Sequence, residues 1–182
     1  NVYNANNLSP VTQPLASLSG TQDTDSFRIE IGPNPTDPYA ISVYAAELRT
    51  AASGGTIQRD DRNGSVTTLV MSAGIDGNLV DLAVADNGTI VALAYKALGG
   101  GSYELSLQLF DWNGNPLLPG DNVLLAVPTG QLGRQARIAI GPDEMIYFTN
   151  PDDRTIVRVD PDSPTGVAVV AESVQMDRPG VI

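Results

Sequence analysis

Cysteine and histidine are both absent from this 182-residue chain. Without cysteine there is no disulfide framework and no thiolate metal site. Without histidine there is no imidazole base, no usual zinc ligand, and no Ser-His-Asp or Cys-His arrangement. Lysine occurs once, at Lys96, and 10 basic residues stand against 21 acidic ones, for a net charge of -11. A surface so poor in cations repels phosphate backbones and anionic lipid, so neither nucleic acid nor membrane is an expected partner. The acidity is expected to serve solubility. No apolar run approaches the roughly 18 residues of a membrane-spanning helix. The chain opens on Asn1 rather than Met, which fits a processed or excerpted mature chain, and an extracellular or cell-surface location is the expectation.

What is present is alternation. Ala136, Ile138 and Ile140 alternate with Arg137 and Ala139, a Gly141-Pro142-Asp143-Glu144 turn follows, and Met145 to Phe148 returns as a second strand. Ile156, Val157 and Val159 make a third strand and Val167 to Val170 a fourth. The pattern recurs: Phe27-x-Ile29-x-Ile31, Val80-x-Leu82-x-Val84 and Ala136-x-Ile138-x-Ile140 are offset by 53 and 56 residues. Each is followed by a turn, expected at Gly32-Pro33-Asn34, Asp86-Asn87-Gly88 and Gly141-Pro142-Asp143. A second series agrees, since Asp61-x-Asn63-Gly64, Asp111-x-Asn113-Gly114 and Asp160-Pro161-Asp162 lie 50 and 49 residues apart. The prediction is an all-β fold of three four-stranded antiparallel units, at about 26–71, 79–127 and 136–172, with the start of another at 178–182. Residues 1–25 are expected to form an extended arm, and Ala45 to Ala52 a strand end and loop.

The run RIAIGPDEMIYFTNPDDRTIVRVDPD resembles the repeats of β-propellers of the NHL and SMP-30/gluconolactonase type. The resemblance implies blades around a channel and, in lactonase-like members, a divalent cation held at inner strand ends by Glu and Asn/Asp. This chain departs from that pattern, with Gly180 and Asn150 where an Asn and an Asp are implied; Glu30 remains a candidate inner-strand acid. Propellers close with about 4 to 8 blades. Three units therefore need completion by further sequence, by a second copy, or by head-to-tail stacking through the arm. A β-trefoil or β-prism, which closes on three units, is the alternative.

Candidate chemistry is sparse. Asp111, Asn113 and Asn115 are spaced like part of a calcium loop, yet the late bidentate Glu is missing and the Asn-Gly reads as a hairpin turn. The acidic pairs Asp60-Asp61, Asp152-Asp153, Asp160/Asp162 and Asp23/Asp25 all fall in predicted turns, as solvated turn acids. Asn7, Asn63 and Asn87 begin glycosylation triplets, while Asn34 is excluded by Pro35. Trp112, Tyr39, Tyr44, Tyr95, Tyr103 and Tyr147 offer stacking surfaces for a glycan but are expected to pack.

No catalytic residue is assigned. The expected function is a non-catalytic extracellular structural or adhesive propeller module that self-associates through Leu15, Leu18, Arg178, Pro179, Val181 and Ile182, with no cofactor. The alternatives are a Ca-dependent lactonase-like enzyme and a glycan-binding module.

Overall fold

The computed structural model describes residues 24–49, 54–61, 66–70, 74–120 and 122–172. Twelve strands form three separate four-stranded antiparallel sheets, each laid out in chain order. Blade 1 holds β1 (Thr24–Asn34), β2 (Asp37–Arg49), β3 (Gly55–Asp60) and β4 (Val66–Val70). Blade 2 holds β5 (Asn78–Val84), β6 (Ile90–Gly99), β7 (Ser102–Phe110) and β8 (Val123–Thr129). Blade 3 holds β9 (Ile138–Ile140), β10 (Ile146–Asn150), β11 (Thr155–Asp160) and β12 (Ser163–Glu172), and a short 3-10 helix, Gln131–Gln135, leads into it. Among the described residues no helix is long and apolar enough to cross a membrane.

The sheets stack face to face, and two apolar layers hold them. Tyr44, Ala46 and Ile57 of blade 1 pack on Leu79, Leu82, Ile90, Ala92, Ala94 and Phe110 of blade 2. The opposite face of blade 2, with Val91, Leu93, Leu105, Leu107 and Leu109, packs on Ile138, Ile146, Phe148, Val157 and Val159 of blade 3. Each Val, Leu, Ile or Phe among them taken fully out of water contributes about 1.5–3 kcal/mol. Blade 2 is thus covered on both sides: β6 reads as a near-continuous apolar run, IVALAY, and in β7, LSLQLF, even the polar Ser106 and Gln108 are buried. In β3 and β11, which have one covered face, burial alternates residue by residue. This layering is the blade stack of a propeller. A trefoil would join its strands into one barrel, and a prism would turn one face of every sheet to a shared core, so neither alternative is adopted.

The repeat is carried by hydrogen bonds as well as by sequence. The side-chain oxygens of Asn34, Asn87 and Asp143 each accept from the backbone N–H two residues on, at 2.9, 2.9 and 3.3 Å. The left-handed turn position is Gly88 (φ 85°) in blade 2 and Glu144 (φ 61°) in blade 3.

Three expectations need correction. Gly32 and Pro33 are not turn residues: they still pair with Ser42 and Ile41, and the turn falls at Pro35-Thr36. Val80 does not share a face with Leu82, because a bulge between Leu79 and Asp81 turns it toward blade 3. Finally, β1 starts at Thr24, inside the predicted arm, whose residues 1–23 lie outside the described residues.

Candidate functional site

Polar side chains within the stack collect at the seams between blades. Arg28 on β1, Asp81 on β5 and Arg137, immediately before β9, occupy one repeat position, 53 and 56 residues apart. Arg28 Nε lies 3.5 Å from Asp81 Oδ1, and Asp81 Oδ2 accepts the Ile138 N–H at 3.2 Å. One carboxylate therefore touches the inner strands on both sides of its own. Burial pushes the Asp81 carboxyl above the usual carboxylate range, although the Ile138 N–H and the charges of Arg137 and Arg28 pull the other way. Glu30 is raised by burial and then by the charge of Asp81. Burial and the like charge of Arg28 hold Arg137 below the ordinary arginine range despite Asp81.

A second polar group spans the same seam farther out. Arg59, buried, donates from Nε to Asp61 Oδ1 at 2.7 Å and from Nη2 to Asp61 Oδ2 at 3.1 Å. Ser42 Oγ donates to the same carboxylate at 2.6 Å. Arg59 Nη1 donates to the Trp112 carbonyl of blade 2, and the guanidinium sits 5.7 Å from the Trp112 ring centroid. Asp61, expected as a solvated turn acid, is instead the bidentate partner of a cross-blade arginine.

The other predicted acids serve turns and links. Asp111 Oδ1 accepts from the Asn113 and Asn115 backbone N–H groups, both at 2.8 Å, and Asp111 Oδ2 accepts from Asn115 Nδ2 at 2.8 Å. What little burial there is opposes ionisation, but these hydrogen bonds outweigh it and hold the carboxyl below its ordinary range. The candidate calcium triplet is thus one turn whose acid is engaged by its own loop. Asp160 likewise accepts from the Asp162 N–H at 2.9 Å. Thr129 Oγ1 donates to Asn150 Oδ1 (2.8 Å) and Asp152 Oδ2 (3.0 Å), while Asn150 Nδ2 donates to Asp153 Oδ2 (2.8 Å). That network fastens the end of β8 to the β10–β11 turn. Tyr44 and Tyr95 are buried, as packing residues are. Among the described residues no group of three or more acidic side chains stands placed to hold a metal ion.

Asn87 is exposed at its turn. Asn7, Asn63, Asp23, Leu15, Leu18, Gly180, Arg178, Pro179, Val181 and Ile182 lie outside the described residues, as do the side chains of Asp25 and Tyr39. A cleft of about 520 Å³ opens at the inner-strand ends between the β5–β6 and β9–β10 turns. Ile31, Val84, Ile140 and Ile146 give it apolar walls, and Glu30, Asp86, Glu144 and Asp162 contribute carboxylates.

No protein-family model matches the sequence, and no curated protein matches it either. Solved structures do match. The chain is similar to an oxidoreductase (glucose dehydrogenase) from Thermus thermophilus, at 20% identity and a TM-score of 0.50, over 75% of this chain and 47% of that one. It is also similar to the PQQ-bound form of an aldose sugar dehydrogenase from Streptomyces coelicolor, at 18% identity and a TM-score of 0.39, over 75% of this chain and 49% of that one. The matches span about half the length of those proteins. At such identities the likeness concerns the fold alone: three blades of propeller type. The narrower likeness to NHL and SMP-30 repeats stays a likeness of sequence motif.

Proposed function

We propose that these residues are a non-catalytic structural section of a β-propeller, whose work is to seat further blades on its two outer faces. One repeat position carries the reading. Leu82 and Ile138 face the preceding blade and are 3% and 8% exposed, whereas Ile29, their equivalent in blade 1, is 56% exposed. Ile31 and Ile41 share that open face. Contiguous branched apolar side chains left in water mark a docking surface.

The acids support a structural role in the same way. Asp61, Asp81, Asp111 and Asp152 each hold a turn, a link or a seam. The test is twofold. A hydrophobic dye should light up on the intact chain and lose most of that signal in the Ile29→Asp/Ile31→Asp variant. Glucose with added PQQ, Ca²⁺ and an electron-accepting dye should give no turnover above buffer. Sustained turnover, or dye binding unchanged in the variant, would refute the reading.

A further inference from the structure

The acids of the chain divide by what meets them. Asp61, Asp76, Asp81 and Asp143 each face an arginine or lysine, at 2.7 to 3.5 Å. Asp111, Asp152, Asp153 and Asp160 accept hydrogen bonds in or beside their turns. Glu30, Asp86, Glu144 and Asp162 belong to neither group: among the described residues no hydrogen bond or ion pair reaches their carboxylates. All four line the cleft at the inner-strand ends.

Three blades bring them there. Glu30 comes from β1, Asp86 from the β5–β6 turn, Glu144 from the β9–β10 turn, where it holds the left-handed position, and Asp162 from the β11–β12 turn. No arginine or lysine lines the cleft. Burial together with the charge of Asp81 holds the Glu30 carboxyl above its usual range, as befits an acid without a counter-ion. Between the acids the walls are aliphatic: Val84, Ile140, Ile146 and Leu117, the last 48% exposed. A volume of about 520 Å³ suits a small molecule.

The acids are spread and not gathered. Among the described residues no three acidic side chains stand close enough together to hold a metal ion, whereas calcium needs about six to eight oxygens around one point. Separate anionic points with apolar wall between them fit a cation built the same way, with charges spaced along a methylene chain that can lie on aliphatic side chains. We infer that the cleft binds a linear aliphatic polyamine, its ammonium groups shared among Glu30, Asp86, Glu144 and Asp162 and its methylenes against Val84, Ile140 and Ile146. This site goes beyond the structural role of the blades and does not rest on it.

Calorimetry of the full 182-residue chain with spermidine at low ionic strength tests this. Saturable binding at one site per chain is expected. Because a chain of net charge -11 gathers any polycation weakly, the variants compare one charge lost inside the cleft with one lost outside it. Glu30→Gln and Glu144→Gln should each weaken binding about three- to fivefold, the range of a partly exposed ion pair. Glu104→Gln, on β7 and away from the cleft lining, should leave it unchanged. Calcium chloride should displace spermidine no better than sodium chloride of the same ionic strength. Heat that does not saturate, equal losses in all three variants, or displacement by calcium beyond that of sodium overturns the inference. So does a lysine-rich peptide that binds where spermidine does not, since the cleft then receives a protein. Wild-type binding and the salt competition need no variant, so the test holds even if a substitution unfolds the chain.

Discussion

Gly114 offers the sharpest measurement of how tightly blade 1 is pressed on blade 2. It sits in the Asp111–Asn115 turn at φ 84°, where an L-residue is strained, and a β-carbon built there would run into the Leu69 carbonyl of β4. Gly99 has a similar φ of 91°, yet nothing lies within 4 Å of its would-be β-carbon. The pair separates two costs. Gly99→Ala should cost only the left-handed conformation, about 1–2 kcal/mol. Gly114→Ala should add the price of moving a backbone carbonyl, about 1–3 kcal/mol more, as overpacking does elsewhere. Urea unfolding followed by far-UV circular dichroism and by Trp112 fluorescence would measure both, the second probe reporting from the seam itself. Because blades contact only their neighbours, Gly114→Ala should also pull the fluorescence transition to lower urea than the circular dichroism transition. Equal losses in the two variants, with coincident transitions, would refute the seam geometry.

Further outcomes follow from the same contacts. Arg59→Met removes one partner of a buried bidentate pair and leaves the Asp61 carboxylate with Ser42, so it should cost about 3–5 kcal/mol in chemical denaturation. Phe148→Ala, in the layer between blades 2 and 3, should cost about 3–5 kcal/mol by the same measurement. For pH, Asp81 and Glu30 have folded pKa values above the ordinary 3.8 and 4.5, so the fold binds their protons more tightly than the unfolded chain does. Their contribution to stability therefore grows as pH falls from neutral and is complete below those ordinary values. Asp111 and Asp143 run the opposite way: their folded pKa values lie below 3.8, and the stability they give is lost as pH drops through them. The thermal midpoint should rise from pH 7 toward about 4.5 and fall below about 3.8. Asp81→Asn, which keeps an acceptor for the Ile138 N–H, should flatten the rise, and a midpoint that drops steadily from pH 7 would contradict the burial of these two acids.

The fold was legible wherever one face of a strand is buried and the other wet, because alternation then writes the covered face into the sequence. The 53- and 56-residue offsets became visible through Ile31, Val84 and Ile140, and the Asn34, Asn87 and Asp143 turns keep the same spacing. Two features were not legible. The bulge at Val80 replaces one buried apolar residue with another across the sheet, so periodicity does not register it. Gly32-Pro33 has the composition of a turn, but Pro33 pairs with Ile41 and the chain reverses only at Pro35-Thr36. The seam residues were hidden for another reason. Arg28, Asp81 and Arg137 fill the x positions of the alternating pattern, where periodicity asks only for a residue that is not apolar, and Asp61 carries the signature of a turn acid. Aligning the x positions at the repeat offset is the signal that would have exposed the plus-minus-plus series.

Blade 2 shows why a stack of this kind needs particular neighbours. With both faces covered it has few polar choices, and the ones it keeps are matched. Gln108, fully buried in β7, accepts from the Asp76 N–H at 3.1 Å and donates to the Asp76 carbonyl at 3.0 Å, tying β7 to the chain entering β5. Asp81 and the Trp112 turn meet two arginines of blade 1. Apolar layers alone would let one blade slide on or substitute for another, since leucine and isoleucine discriminate little by direction. Charged and hydrogen-bonded groups in a seam cost more when mismatched than they contribute when matched, so they fix which blade sits where. The order of blades 1 and 2 is therefore set less by the Leu, Ile and Val that supply most of the burial than by Arg28 and Arg59 and by the carboxylate and the Trp112 turn that they meet.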